Sequence, residues 1–254
     1  MKSLNFHPFR TRFAKDIVAE ILLPEHQTGK IALIASGLPS PPVKKEFLRF
    51  LASHGYVAIF PRYRGTWESS GLFLRESPAN DIADILSEIA KRKNFTDIFS
   101  GQLIILKVSS VHLFGSSFGG PAVLLNSKHP LVKKVITLAP VTNWRMEGEL
   151  ESFQDHVRLT ESAFGMAFRP ESPRDWQKLV KTDFYNPIDH IDKIDGHKVF
   201  IIHAKDDATV PYITSVDFAQ KTQAAIYLKP TGGHNIRMTH GFLWKKIEAF
   251  LRKK

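Results

Sequence analysis

Val111-His112-Leu113-Phe114-Gly115-Ser116-Ser117-Phe118-Gly119-Gly120 is the stretch on which the reading of this chain turns. An apolar run ends in Gly-x-Ser-x-Gly, and a helix-compatible segment, Pro121-Ala-Val-Leu-Leu-Asn126, follows at once. That is the sequence form of a strand, a sharp turn with a serine at its apex, and a helix, the layout of a nucleophile elbow. A side chain held in such a strained turn crowds the residues two before and two after it, where only a residue without Cβ fits comfortably. Ser117 has Gly115 and Gly119 at those offsets, whereas Ser116 has Phe114 and Phe118. Ser117 is therefore the candidate nucleophile. The competing reading is a plain glycine-rich turn, and the rest of the chain decides between them.

Upstream, residues 13–23 are extended and β-rich and close at Pro24, as an edge strand or half of a hairpin would. Lys30-Ile-Ala-Leu-Ile-Ala35 is nearly all apolar, the mark of a strand covered on both faces in a parallel sheet. A loop of turn formers follows, Ser36-Gly37-Leu38-Pro39-Ser40-Pro41-Pro42. Helical patterns at 44–54 and 81–91 flank a second buried strand at 56–60. Residues 103–106 are apolar but short, the elbow strand covers 110–114, its helix extends to about His129, and another strand covers 132–138. Alternation of strand and helix from residue 30 to 140 predicts a doubly wound, mostly parallel sheet. The rhythm lapses over 143–195, where helical patches at 149–161 and 173–181 carry many large apolar side chains. That span is too long for a simple crossover and reads as a helical cap inserted over the carboxyl edge of the sheet. A strand at 199–203, a helix at 212–223, a strand at 225–228 and a last helix at 239–252 resume the pattern. The expectation is one domain over residues 1–254 with a cap at about 143–195.

Composition sets the outer bounds. The chain has 254 residues, 43% hydrophobic and 24% charged, enough for one large α/β core. It has no cysteine, which excludes disulfides, thiolate metal sites and a cysteine nucleophile. The first ten residues are polar and lack an apolar signal core, and no apolar run approaches membrane-spanning length, so a cytoplasmic location is expected. The formal net charge is +10, but the basic residues are scattered and no nucleic-acid module accompanies them. A solvated basic surface, with no nucleic-acid partner, is the preferred reading. Nothing in the sequence reports the oligomeric state.

A serine hydroxyl needs a base beside it, and the base needs an acid to orient it. In this architecture the three follow in the order Ser, Asp or Glu, His, each after a strand. Past the strand at 199–203 lies Ala204-Lys-Asp-Asp-Ala-Thr-Val-Pro211, where Asp206 and Asp207 compete for the acid. After the strand at 225–228 comes Pro230-Thr-Gly-Gly-His-Asn-Ile236, which offers His234 as the base on a glycine-softened loop. Of the 11 histidines, His54, His112 and His203 lie in or beside regular elements and read as structural. His240 is the nearest rival base and falls in the first turn of the last helix. An oxyanion hole needs two aligned backbone N–H donors. Phe118, following the nucleophile, supplies one; Leu38 supplies the other, because Pro39 has no N–H. No ligand spacing for a metal or organic cofactor is present.

At these residues the chain resembles the α/β-hydrolase fold family, over roughly residues 13–254. The resemblance rests on Ser36-Gly37-Leu38, Gly115-Ser116-Ser117-Phe118-Gly119, the acid loop from His203 to Pro211, and Gly233-His234. The family's acid loop typically reads Asp-x-x-Val-Pro, which implies Asp207 rather than Asp206. Tyr63-Arg64-Gly65-Thr66-Trp67-Glu68-Ser69-Ser70-Gly71 is similar to the Arg-Gly-x-x-x-Ser-x-Gly loop of prolyl-oligopeptidase-like peptidases, dienelactone-hydrolase-like enzymes and related esterases. Ser36 stands where many members have His, and Ala204 where many have Gly. The resemblance implies a serine hydrolase acting on a small ester, or on a short peptide or amide, through Ser117, Asp207 and His234. A non-catalytic binding protein on the same fold is the rival from another class.

Overall fold

The computed structural model describes residues 8–148 and 152–253. Ten strands form in it: β1 Phe9–Phe13, β2 Ile17–Leu22, β3 Lys30–Ala35, β4 Val57–Pro61, β5 Asn94–Thr96, β6 Leu103–Ile105, β7 Ser110–Ser116, β8 Val132–Leu138, β9 Val199–Ala204 and β10 Ala225–Lys229. Eight of them make one sheet in the order β1-β2-β4-β3-β7-β8-β9-β10. From β4 to β10 all neighbours are parallel; β2 runs antiparallel to both β1 and β4.

Alternation along each central strand divides the core into two layers. Ile31, Leu33, Val57, Ile59, Val111 and Leu113 face one side. They pack on Ile82, Ile85 and Leu86 of α2 (Pro78–Lys91), on α3 (Gly119–Leu124) and on Phe218 of α6 (Tyr212–Thr222). Ala32, Ile34, Ala58, Phe60, Phe114 and Ile136 face the other side. There they meet Leu48 and Leu51 of α1 (Lys45–Ser53) and Leu243, Trp244 and Ile247 of α7 (Gly241–Arg252). This is the doubly wound arrangement that continuous apolar strands require.

The differences from the sequence pattern are local. The extended run at 13–23 breaks at Ala14 and Lys15, both with positive φ, and becomes the turn of the β1–β2 hairpin. Helix α2 begins at Pro78, capped by the Ser77 side chain, three residues ahead of the expected start at 81. The short apolar run at 103–106, which could be a strand or simply lead into the elbow strand, forms the strand β6, paired with β5 in a hairpin apart from the main sheet. The elbow helix ends at Leu124 rather than near His129, because a succession of turns carries the chain into β8.

Between β8 and β9 lie α4 (Phe153–Phe164), α5 (Pro173–Lys181) and short 3-10 turns. The first residues of the helix expected at 149–161 fall outside the described residues. Ser152 and Ser172 each start their helix with a reciprocal capping box to Asp155 and Asp175. This span is tied to the loop after β4: Trp67 N–H donates to Ala167 O and Phe73 N–H to Arg169 O, at 2.9 and 2.8 Å. Among the described residues no helix is long and apolar enough to cross a membrane.

Candidate active site

In the sheet order β3 stands between β4 and β7, so the winding reverses direction at β3 and opens a crevice at the carboxyl ends of β3 and β7. The Ser36–Gly37–Leu38 loop and Ser117 sit at those two ends. Ser117 has φ +50°, a left-handed conformation that costs an L-residue energy and holds its side chain clear of both strand and helix. The flanking glycines are needed for steric reasons. A Cβ on Gly115 would stand 2.6 Å from Gly119 O, and one on Gly119 would stand 2.2 Å from Ala35 O. The elbow is thus wedged against β3. Gly119→Ala should cost about 3 kcal/mol or more, since a backbone carbonyl must move. Urea denaturation checks this, and a loss below about 0.5 kcal/mol would show that the turn relaxes freely.

Gly37 carries the Ser36–Leu38 loop over the serine, where a Cβ would be 3.4 Å from Ser117 Cβ. Leu38 and Phe118 face the same cavity as Ser117. Among the described residues neither backbone N–H donates to a protein acceptor. Both segments are braced from behind. Tyr63 OH donates to Ser36 O at 3.0 Å, and Tyr185 OH donates to Phe118 O at 2.8 Å. The loop carrying Tyr63 is itself held by Arg64, whose guanidinium binds Asp81 and Asp84 at the start of α2, and by Ser69, which accepts from Val18 N and donates to Arg62 O. The Arg-Gly-x-x-x-Ser-x-Gly loop therefore acts as a brace behind the site.

The two competing aspartates separate cleanly. Asp206 accepts the N–H groups of Gly232 and Gly233 and so anchors the loop bearing His234. Asp207 Oδ2 accepts from His234 Nδ1 at 2.8 Å, while its Oδ1 accepts from the backbone of Thr209 and Val210, both at 3.0 Å. A carboxylate only accepts, so Nδ1 carries a proton, and in the neutral imidazole the lone pair is then on Nε2. His240 caps the start of α7 instead of lying within it.

His203, which reads as structural in the sequence, reaches the same carboxylate. It is fully buried, and its Nε2 lies 3.0 Å from Asp207 Oδ2 and 3.0 Å from Val210 O. Two acceptors at Nε2 place the hydrogen there, and Nδ1 takes the Ser215 hydroxyl at 2.8 Å. The signal was available: His203 and Asp207 are four apart across a strand end and its turn. The missing part was Ser215, whose α6 hydroxyl only the fold brings near.

Burial alone would raise the Asp207 pKa, but hydrogen bonds from His203, His234 and Val210 N–H outweigh it and hold the carboxyl well below the usual range. Folding then favours the ionised form. The contribution is complete above the ordinary value of 3.8 and shrinks as pH falls below it toward the lowered folded value. The stability difference between wild type and Asp207→Asn should therefore narrow between about pH 5 and about pH 3. Urea midpoints at several pH values test this; a constant gap would contradict it.

Ser117, Phe118 and Leu38 line one cavity of about 80 Å³ with Trp144, Phe153 and Trp176. His234 is not on that wall, and among the described residues no hydrogen bond links its ring to Ser117 Oγ. Among them too, no group of three or more His, Asp or Glu is arranged to hold a metal ion.

Alongside the elbow, the Asp207–His234 hydrogen bond and the brace, residues 44–239 match the model of the prolyl oligopeptidase family. The chain belongs to the prolyl oligopeptidase family. It is a serine hydrolase of that esterase and peptidase type, on an α/β-hydrolase fold. No curated protein matches it in sequence. Its fold is similar to an esterase of Pyrococcus furiosus at 13% identity and TM-score 0.68, covering 98% of this chain and 91% of that one. Est1E from Butyrivibrio proteoclasticus aligns at 17% identity and TM-score 0.62, with 96% of each chain covered. An acylaminoacyl peptidase of Pyrococcus horikoshii aligns at 18% identity and TM-score 0.64 over 98% of this chain, which spans only 41% of that enzyme.

Proposed function

We propose that this member of the prolyl oligopeptidase family hydrolyses short carboxylic esters through an acyl-enzyme on Ser117. His234 Nε2 takes the serine proton as Oγ attacks the carbonyl carbon, and returns it to the leaving alcohol. Asp207 holds His234 in the tautomer that permits this. The N–H groups of Phe118 and Leu38 receive the oxyanion. Water activated by His234 then releases the acid. The observation that carries the reading is the Asp207–His234 hydrogen bond, which leaves Nε2 free to act as base. The bond from Ser117 to Nε2 closes with substrate bound, as such contacts commonly do; Gly233, with open space where a Cβ would stand, leaves the loop room for that adjustment. We read residues 1–254 as one domain and about 143–195 as its cap, since α4 residues share the Ser117 cavity.

The cavity of about 80 Å³ is small beside the ~300 Å³ at which ligand pockets usually begin, and its Trp144, Phe153 and Trp176 lining is apolar. Both features favour a short acyl group. Aminopeptidase or amidase action is the second reading, supported by family membership. Initial rates on p-nitrophenyl acetate, butyrate and octanoate, beside aminoacyl anilides, separate the two. Acetate and butyrate should lead by about tenfold over octanoate; a lead for the anilides would overturn the ester reading. Failure of a fluorophosphonate probe to label Ser117 would favour a non-catalytic binding protein.

A further inference from the structure

At the opposite edge of the sheet from Ser117, the amino-terminal ends of β3, β7 and β8 open on a second cavity of about 260 Å³. Lys30 and Ser110, the first residues of β3 and β7, stand on its wall with Lys133 of β8. His112 and Tyr56 form part of the same wall, and α7 closes the far side with Trp244, Glu248, Leu251 and Arg252. Nothing in the hydrolytic site reaches it.

The polar groups here do not balance. Trp244 and His112 are 6% and 3% exposed, yet among the described residues the Trp244 indole N–H and His112 Nδ1 have no hydrogen-bond partner. A buried polar group without a partner forfeits its hydration with nothing in return, so two on one cavity wall need a reason. Lys30 and Lys133 are exposed and form no ion pair among the described residues. The Tyr56 and Ser110 hydroxyls also lack a protein partner there. Glu248 is the one carboxylate on the wall; it pairs with Arg252, also on the wall, at 2.9 Å, and burial together with Glu248 pushes the Tyr56 pKa up to about 12, so Lys30 and Lys133 remain as the unpaired charges. Donors and positive charge are therefore left over. The same imbalance acts on His112, whose pKa is pushed down to about 4 by burial and by Lys133, Lys30 and Lys134.

We propose that this cavity binds a small organic anion, a carboxylate or phosphate group on a flat apolar body. The anionic oxygens lie between Lys30 and Lys133 and take hydrogen bonds that the wall cannot satisfy internally. The apolar body lies against the Trp244 ring and Leu251. Charge-assisted bonds to two ammonium groups supply the affinity, and the aromatic floor selects a ring-bearing ligand over a bare ion.

The test is titration of the full chain with phenyl phosphate, benzoate and inorganic phosphate, followed by the indole N–H resonances in a ¹⁵N–¹H spectrum. Each of the 4 tryptophans contributes one such resonance, assigned by single Trp→Phe variants. The Trp244 resonance should shift saturably with phenyl phosphate, benzoate or both, which also tells phosphate from carboxylate. Inorganic phosphate should bind about tenfold more weakly than phenyl phosphate. Lys30→Met with Lys133→Met should weaken binding by about tenfold or more, with an unchanged melting temperature to show that the variant is folded. Ser117→Ala should bind as wild type does. No saturable shift, a shift untouched by the double lysine change, or shifts confined to Trp144 and Trp176 would each overturn the proposal.

Discussion

Replacing Ser117 by alanine should lower ester hydrolysis by about 10⁴- to 10⁶-fold while leaving the protein folded. The chemical argument is that every other group in the proposed mechanism acts on the serine oxygen or on the acyl group it holds. Removing Oγ leaves an oxyanion pocket and a base with no covalent step to assist, and only residual catalysis by water remains. The structural argument is that the fold barely notices. Ser117 Oγ makes no hydrogen bond to protein among the described residues, and alanine meets the same steric demand as serine at φ +50°. Rates on p-nitrophenyl butyrate, with a thermal melt beside them, read both halves. The same variant should escape labelling by a fluorophosphonate that marks wild type. Equal labelling of the two proteins, or a rate within tenfold of wild type, would remove Ser117 from the reaction.

Asp207→Asn should lower kcat by about 10³- to 10⁴-fold, for a reason specific to this carboxylate. Its two oxygens serve four donors: Thr209 N and Val210 N on Oδ1, and His203 Nε2 and His234 Nδ1 on Oδ2. Asparagine offers one acceptor oxygen and one donor NH2. The fixed backbone donors take the oxygen, so the NH2 faces both imidazoles. His234 Nδ1 must then give up its hydrogen to accept, and the proton moves to Nε2, the atom that must receive the serine hydrogen. The base is thus switched off by its tautomer without being displaced. Asp207→Ala removes orientation without imposing the wrong tautomer. It should be less impaired than Asp207→Asn in kcat, though more destabilised, because His203 then keeps only Val210 O at Nε2. Comparing kcat and urea midpoints of the two variants distinguishes these effects; equal kcat values would argue against the tautomer explanation.

Much of this was readable along the chain because its causes are local. Apolar runs of strand length, helical stripes at 82, 85, 86 and 89, and Gly115 and Gly119 around Ser117 follow from side-chain periodicity and from the room a turn allows. What local pattern leaves open depends on neighbours distant in sequence. The run at 103–106 has a strand's composition, but whether a strand enters the main sheet depends on free neighbouring edges. The end of α3 is set by the turns leading to β8, which no apolar pattern marks.

The order of strands and helices, the serine at the elbow and the short menu of acids and bases were legible along the chain, because each depends on residues a few positions apart. The Asp-x-x-Val-Pro pattern points to Asp207, but Asp206 and Asp207 are adjacent and equal in chemistry, and the cause of their different orientations lies in the folded chain. One was turned toward the backbone of Gly232 and Gly233, the other toward His203, His234 and the end of β9. Hydrogen bonds spanning 26 and 27 residues hold those two directions, which the local pattern marks without supplying their cause.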